Sequence, residues 1–164
     1  VSPASHSSFG TPLEMMRFIE QLRALSGGKP VGFKLCIGHP WEWFALVGVN
    51  LRSEIKIGAS GKIVSAFDMA RALALGADWC NSARGFMFAL GCIQAQTCHT
   101  GTCPTGVTTQ DPKRQLALVV PDKAERVRNF HAHTLQALHE LLEAAGLNGP
   151  QEVTPQHITR GLAV

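Results

Sequence analysis

Along residues 12–25 the apolar positions Leu13, Met16, Ile19, Leu22 and Leu25 recur at helical spacing. Thr11-Pro12 supplies a cap and a first-turn proline, and Gly27-Gly28 a stop, so the pattern predicts a helix after a Ser-, Gly- and Pro-rich loop. The period then changes. Val31-Gly32-Phe33-Lys34-Leu35-Cys36-Ile37-Gly38 is short and mostly apolar, which predicts a buried parallel strand with Lys34 as its exception. His39-Pro40 opens a second helix through about Asn50. A second strand is expected over 55–59, a third helix over 65–75 closed by Gly76, and a third strand over 77–82. From 92 to 112 the chain is rich in Cys, Thr, Gly and Pro and reads as loop. Pro121-Asp122 then starts a long helix with Val127, Phe130, Leu135, Leu138 and Leu142 on one face, ended by Gly146 or Gly149. Thr154-Pro155 begins a last short helix.

Strands alternating with helices imply α/β architecture, a parallel sheet with crossover helices. Either an open doubly wound sheet or an arc of a barrel satisfies the spacing. A complete α/β barrel needs ~250 residues, so with 164 residues a barrel reading makes this chain part of one.

Composition adds exclusions. A hydrophobic content of 45% is enough for one core. The net charge of +3 is modest, and the basic residues are scattered apart from Lys113, Arg114 and the group Lys123, Arg126, Arg128, so nucleic acid is not indicated. No apolar run reaches the ~18 residues of a membrane span, and no leader pattern is present, which predicts a soluble segment. The chain begins with Val1, leaving room for an upstream portion. Three of the five cysteines fall within twelve positions, unlike a secreted disulfide scaffold. A reducing, cytoplasmic setting is expected.

Those three carry the most specific chemistry. Cys92-x5-Cys98-x4-Cys103-Pro104 places three soft ligands on a Gly- and Pro-bearing loop, where they could converge on a metal or cluster. Three ligands suit a three-iron, four-sulfur cluster with one thiolate per iron. Zinc held by the three cysteines and His99 is an alternative, although the first gap exceeds the usual Cys-x2–4-Cys. Cys36 and Cys80, inside expected strands, read as small buried hydrophobes.

Two turns suggest a phosphate site. Gly58-Ala59-Ser60-Gly61 ends a strand before a helix, where backbone amides can meet an anion. Cys80 through Asn81-Ser82-Ala83-Arg84-Gly85 repeats that arrangement. Lys34 is costly to bury unpaired and is expected at a strand end facing an anion or a carboxylate. Asp68 reads as a charge at a helix start and not as a catalytic acid. His131, His133 and His139 on the long helix read as surface residues.

Phe67-Asp68-Met69-Ala70-Arg71-Ala72-Leu73-Ala74-Leu75-Gly76-Ala77-Asp78, Ala89-Leu90-Gly91-Cys92 and Cys98-His99-x3-Cys103-Pro104-Thr105-Gly106-Val107-x2-Gln110-Asp111 together resemble the central, flavin-binding region of glutamate synthase and its stand-alone relatives. Ser2-Pro3-x2-His6 and Gly32-Phe33-Lys34-Leu35 extend the likeness to nearly the whole chain. The resemblance implies the carboxyl-terminal part of a (β/α)8 barrel over 1–112, with a helical extension over 113–164 packed on the same domain. It implies FMN, a 3Fe-4S cluster on Cys92, Cys98 and Cys103, and reductive amination of 2-oxoglutarate with ammonia to L-glutamate. Lys34 would contact the flavin ring, and Gly58, Ser60, Gly61, Ala83 and Arg84 would form the phosphate cradle. An electron donor protein or reductase subunit would be a partner, and unpaired strand edges would favour a homo-oligomer. Relative to the family, the barrel's opening strands would precede Val1. A strand–helix unit carrying an Asp-Gly-x-x-Gly-Gly-Thr-Gly segment has no counterpart near Ala45-Leu46. The competing reading is therefore a noncatalytic iron–sulfur or metal-binding module without flavin.

Overall fold

In the computed structural model, which describes residues 6–34 and 54–158, the chain falls into two units, Val1–Asn50 and Leu51–Val164. In the first, Thr11 caps helix α1, Pro12–Leu25. The Glu14 amide donates to the Thr11 hydroxyl at 3.3 Å, and the Thr11 and Gly10 amides donate back to the Glu14 carboxylate at 3.2 and 2.8 Å. This reciprocal box satisfies donors that a helix start otherwise leaves open. Gly28, at a φ of 84°, donates its amide to the Arg23 carbonyl at 2.8 Å and ends the helix as the sequence predicts. His6 stacks on Phe9 with ring centroids 4.3 Å apart, and Phe18 closes the cluster at 5.7 Å from Phe9.

The expected strand over 31–38 is not found in its described part. Residues 31–34 have no regular structure, and Lys34 is exposed, so no buried charge there demands a partner. The rest of that strand, Cys36, and the helix expected from His39 lie outside the described residues.

The second unit is α/β. Strands β1, Gly58–Ser60, and β2, Trp79–Asn81, run parallel in the register Gly58↔Trp79, Ala59↔Cys80, Ser60↔Asn81. Both are shorter than their sequence patterns because a ladder extends only where both chains pair. At its near end a side chain takes over: the Ile57 amide donates to the Asp78 carboxylate at 2.7 Å, and Lys56 Nζ lies 3.3 Å from the same group. Helix α2, Ala66–Ala74, links the strands. Two parallel strands and their connecting helix are compatible with a barrel arc and with an open sheet alike.

Helices α3, Arg84–Leu90, and α4, Pro112–Gln115, follow, then α5, Val120–Ala144, and two 3-10 turns at Pro150–Glu152 and Pro155–His157. The core sits where α2 meets α5. Ala66, Ala70 and Ala74 recur every four residues and form a flat stripe, onto which Leu138 and Leu142 of α5 pack, with Val153 beneath. Farther along, α3 approaches α5 so closely that a Cβ on Gly85 would strike the Phe130 ring. The Phe86 and Phe130 rings meet edge to face at 5.2 Å. His131, His133 and His139 are exposed, as expected.

Because the α2–α5 contact is built from alanines opposite two leucines, Leu142→Ala should remove much of it. We expect a loss of about 2–4 kcal/mol in urea unfolding; a change below about 0.5 kcal/mol, the range of a neutral surface substitution, would show that the core lies elsewhere.

Candidate functional site

The cysteine loop starts where α3 stops. Gly91, at a φ of 108°, turns the chain, and the Cys92 amide donates to the Met87 carbonyl at 2.9 Å. Gln94 and Gln96 then both hold a φ of 57°. Left-handed backbone is costly for residues with a Cβ, so the stretch between Cys92 and Cys98 is strained. Threonines and α4 hold the remainder. The Thr100 hydroxyl donates to the Thr97 carbonyl at 2.8 Å, and the Thr109 hydroxyl to the Gly101 carbonyl. Arg114 Nη1 and Gln115 Nε2 reach back to the carbonyls of Thr102 and Thr109 at 3.2 and 3.0 Å. Gly106, at a φ of 76°, brings the chain so near α4 that a Cβ would collide with the Arg114 carbonyl oxygen. Helix α4 begins at the last residue of the stretch read as loop and runs into residues for which no element is expected, although Asp111-Pro112 carries a cap-and-proline signal: the Lys113 amide donates to the Asp111 carboxylate at 2.9 Å.

Held in this way, Cys92, Cys98 and Cys103 line one shallow pocket, open to solvent, together with Met87, Thr97 and Thr108. The electrostatics favour a thiolate at Cys103. The Thr105 hydroxyl, 3.4 Å from its sulfur, and the Thr108 amide hold its thiol down to about 6 from an ordinary value near 9. Among the described residues, no three His, Cys, Asp or Glu side chains stand close enough to share a single metal ion. Zinc requires every sulfur within about 2.3 Å of one point. A three-iron cluster asks less of the loop, since each thiolate meets its own iron. His99, the fourth ligand in the zinc reading, is exposed and does not line the cavity. The donor set therefore fits a cluster better than one ion.

The two glycine-bearing turns lie side by side at the carboxyl ends of β1 and β2, joined by the Ser82 hydroxyl, which donates to the Ile63 carbonyl at 2.7 Å. They differ in what they leave open. After β1, the amides of Val64 and Ser65 and the Ser65 hydroxyl all donate to the Asp68 carboxylate, at 3.1, 2.9 and 2.9 Å. These bonds hold the Asp68 pKa below its usual value. Asp68 is thus the helix-start charge expected of it, and it takes the amides of Val64 and Ser65. Gly61, at a φ of 104°, keeps open space on its Cβ side, whereas a Cβ at Gly58 would strike the Trp79 indole. After β2, Ala83 offers α3 no side-chain cap, and Arg84 stands exposed at the first helical position. Ser60, Gly61, Ala83 and Arg84 are brought together; Lys34 belongs to the other unit. Cys80 is half-buried in β2, and burial pushes its thiol up, in keeping with a small hydrophobe. Thr97 and Thr108 were not marked by sequence pattern beyond the general abundance of threonine in this loop.

Residues 44–148 match the family model described as the conserved region in glutamate synthase. The chain is 39% identical to the glutamate synthase large subunit-like protein YerD of Bacillus subtilis, covering 96% of this chain and 39% of that protein. It is 36% identical to the archaeal glutamate synthase [NADPH] of Methanocaldococcus jannaschii, over 79% of this chain and 27% of the relative. With the ferredoxin-dependent glutamate synthase of Cyanidium caldarium the identity is 32%, over 74% and 8%. The chain thus spans well under half the length of these proteins. Its alignment with the Bacillus protein runs over 206 residues, more than its own 164, so that relative carries several tens of residues with no counterpart here.

Two outcomes follow from the loop. In metal-free protein, alkylation of Cys103 should rise through about pH 6, because the thiolate is the nucleophile. Thr105→Val removes a donor to that thiolate and should move the midpoint upward; equal midpoints near 9 in both proteins would contradict the described hydrogen bonding. Gly106→Ala should destabilise the protein by at least about 1 kcal/mol from its left-handed backbone alone, measured by thermal unfolding, and an unchanged midpoint would refute the close approach to Arg114.

Proposed function

Because the chain belongs to the glutamate synthase family, we propose that it supplies the carboxyl-terminal part of a synthase domain that binds FMN and a 3Fe-4S cluster. The proposed reaction is reductive amination of 2-oxoglutarate with ammonia to L-glutamate. The observation that carries this reading is the convergence of Cys92, Cys98 and Cys103 on one cavity. When bound, the cluster supplies single-electron transfer and the flavin hydride chemistry; the protein supplies binding, orientation and electrostatics.

Cys92, Cys98 and Cys103 would each ligate one iron. Cys103 loses its proton at about pH 6 and so enters ligation as a thiolate at neutral pH, with little proton release to oppose it. Arg84, with the uncapped first turn of α3, would neutralise and fix the phosphate of FMN, while Gly61 and Ser60 let it approach the backbone and Gly58 seats Trp79 beside it. Lys34 would lie against the pyrimidine end of the flavin and stabilise negative charge there. On this reading β1–α2–β2–α3 are two successive units of a (β/α)8 barrel, whose strand-end loops carry the chemistry. Residues 1–112 form the barrel part and 113–164 its helical extension. Names among the relatives pair the reaction with NADPH in one case and ferredoxin in another, which supports an electron donor protein or reductase subunit as partner. Among the described residues, no helix is long and apolar enough to cross a membrane, in keeping with action in the cytoplasm.

Two observations favour a second reading, a noncatalytic module that holds the cluster without flavin. Asp68 already occupies two of the amides after β1, those of Val64 and Ser65, and several tens of residues present in the Bacillus protein have no counterpart.

Purification of the full chain without oxygen, followed by iron, acid-labile sulfide and flavin analysis, separates these readings. We expect three irons, four sulfides and one FMN per chain, with iron lost in Cys98→Ser. Iron and sulfide without flavin would select the second reading, and absence of both cofactors would sink the two together.

A further inference from the structure

Six threonines lie on the cysteine loop between residues 97 and 109. The hydroxyls of Thr100, Thr102, Thr105 and Thr109 have partners within the loop. The other two do not. Thr97 Oγ1 and Thr108 Oγ1 are shut off from solvent and make no hydrogen bond, and they are the buried side-chain oxygens or nitrogens without a partner among the described residues. Both residues line the cavity of the three cysteines.

That coincidence has a physical reading. A hydroxyl taken from water and given nothing in return costs free energy, whereas valine fills the same volume without that cost. Threonine is favoured over valine here only if something in the cavity accepts a hydrogen bond. The groups proposed to fill it, thiolate and inorganic sulfide sulfurs, accept and cannot donate. A hydroxyl beside them therefore has one useful role, that of donor. Thr108 lines the same pocket as Cys103, and Thr105 shows that a loop threonine can pair with that sulfur at 3.4 Å.

We propose that Thr97 and Thr108 donate O–H···S hydrogen bonds to the iron–sulfur cluster held by Cys92, Cys98 and Cys103, and so raise its reduction potential. The inference rests on the cluster reading above. Donation withdraws electron density from sulfur and stabilises the cluster more in its reduced, more negative state, which moves the potential up. Both threonines are positioning and tuning groups, with no part in holding iron directly.

The test compares the wild-type chain, Thr97→Val, Thr108→Val, the double variant and the two Thr→Ser variants, each reconstituted with iron and sulfide without oxygen. The readouts are the cluster potential by redox titration and the melting temperature of the metal-free protein. The double valine variant should favour the oxidised cluster by about tenfold, about 59 mV for a one-electron couple. The serine variants, which keep the hydroxyl, should titrate with the wild type. Metal-free valine variants should melt no lower than the wild type, since no bond is lost there. If the wild type takes up its cluster and the valine variants titrate with it, the proposal is overturned while the cluster reading stands. If the valine variants melt lower without cluster and keep the wild-type potential, the threonines are merely structural and the proposal also fails. A wild-type chain that takes up no cluster would overturn the cluster reading and the proposal with it.

Discussion

Three thiols on one short loop can serve a common ligand only if the backbone between them is prevented from relaxing. Everything proposed for this chain depends on that restraint. Gln94 and Gln96 hold left-handed conformations, Gly106 presses against the Arg114 carbonyl, and threonine hydroxyls close the turns between them. Helix α4 acts as the clamp, because Arg114 and Gln115 return two side chains to the loop's own carbonyls. All of these contacts are local. The restraint on the cysteine loop thus comes from residues 87–115.

The flavin side is organised differently. Its proposed residues are spread over two strand ends and a second unit, and each turn has already spent its donors in its own way. After β1, Asp68 takes the amides of Val64 and Ser65. After β2, the uncapped start of α3 and Arg84 leave a positive site open.

Helix ends were legible in the sequence because capping is local chemistry. Thr11-Pro12, Ser65 with Asp68, and Gly27-Gly28 each marked a boundary that the structure keeps. The strands were legible in kind but not in length: the Ile57 carbonyl still accepts the Asp78 amide, but the Ile57 amide turns to the Asp78 side chain. In the described part of its apolar run, residues 31–34, Lys34 is exposed, because an apolar pattern leads to burial only where other chain covers it. The cysteine spacing pointed directly to the cavity. The unpaired hydroxyls of Thr97 and Thr108 could not be found in the same way, because the hydrogen-bonding state of a threonine is a tertiary property and neighbouring Thr100, Thr105 and Thr109 look the same in sequence.

Iron K-edge X-ray absorption on chain isolated without oxygen would probe the central claim at the atoms concerned. The account predicts an iron environment made of sulfur alone, with a further shell of neighbouring iron. Iron surrounded by oxygen or nitrogen, with no iron neighbour, would contradict it.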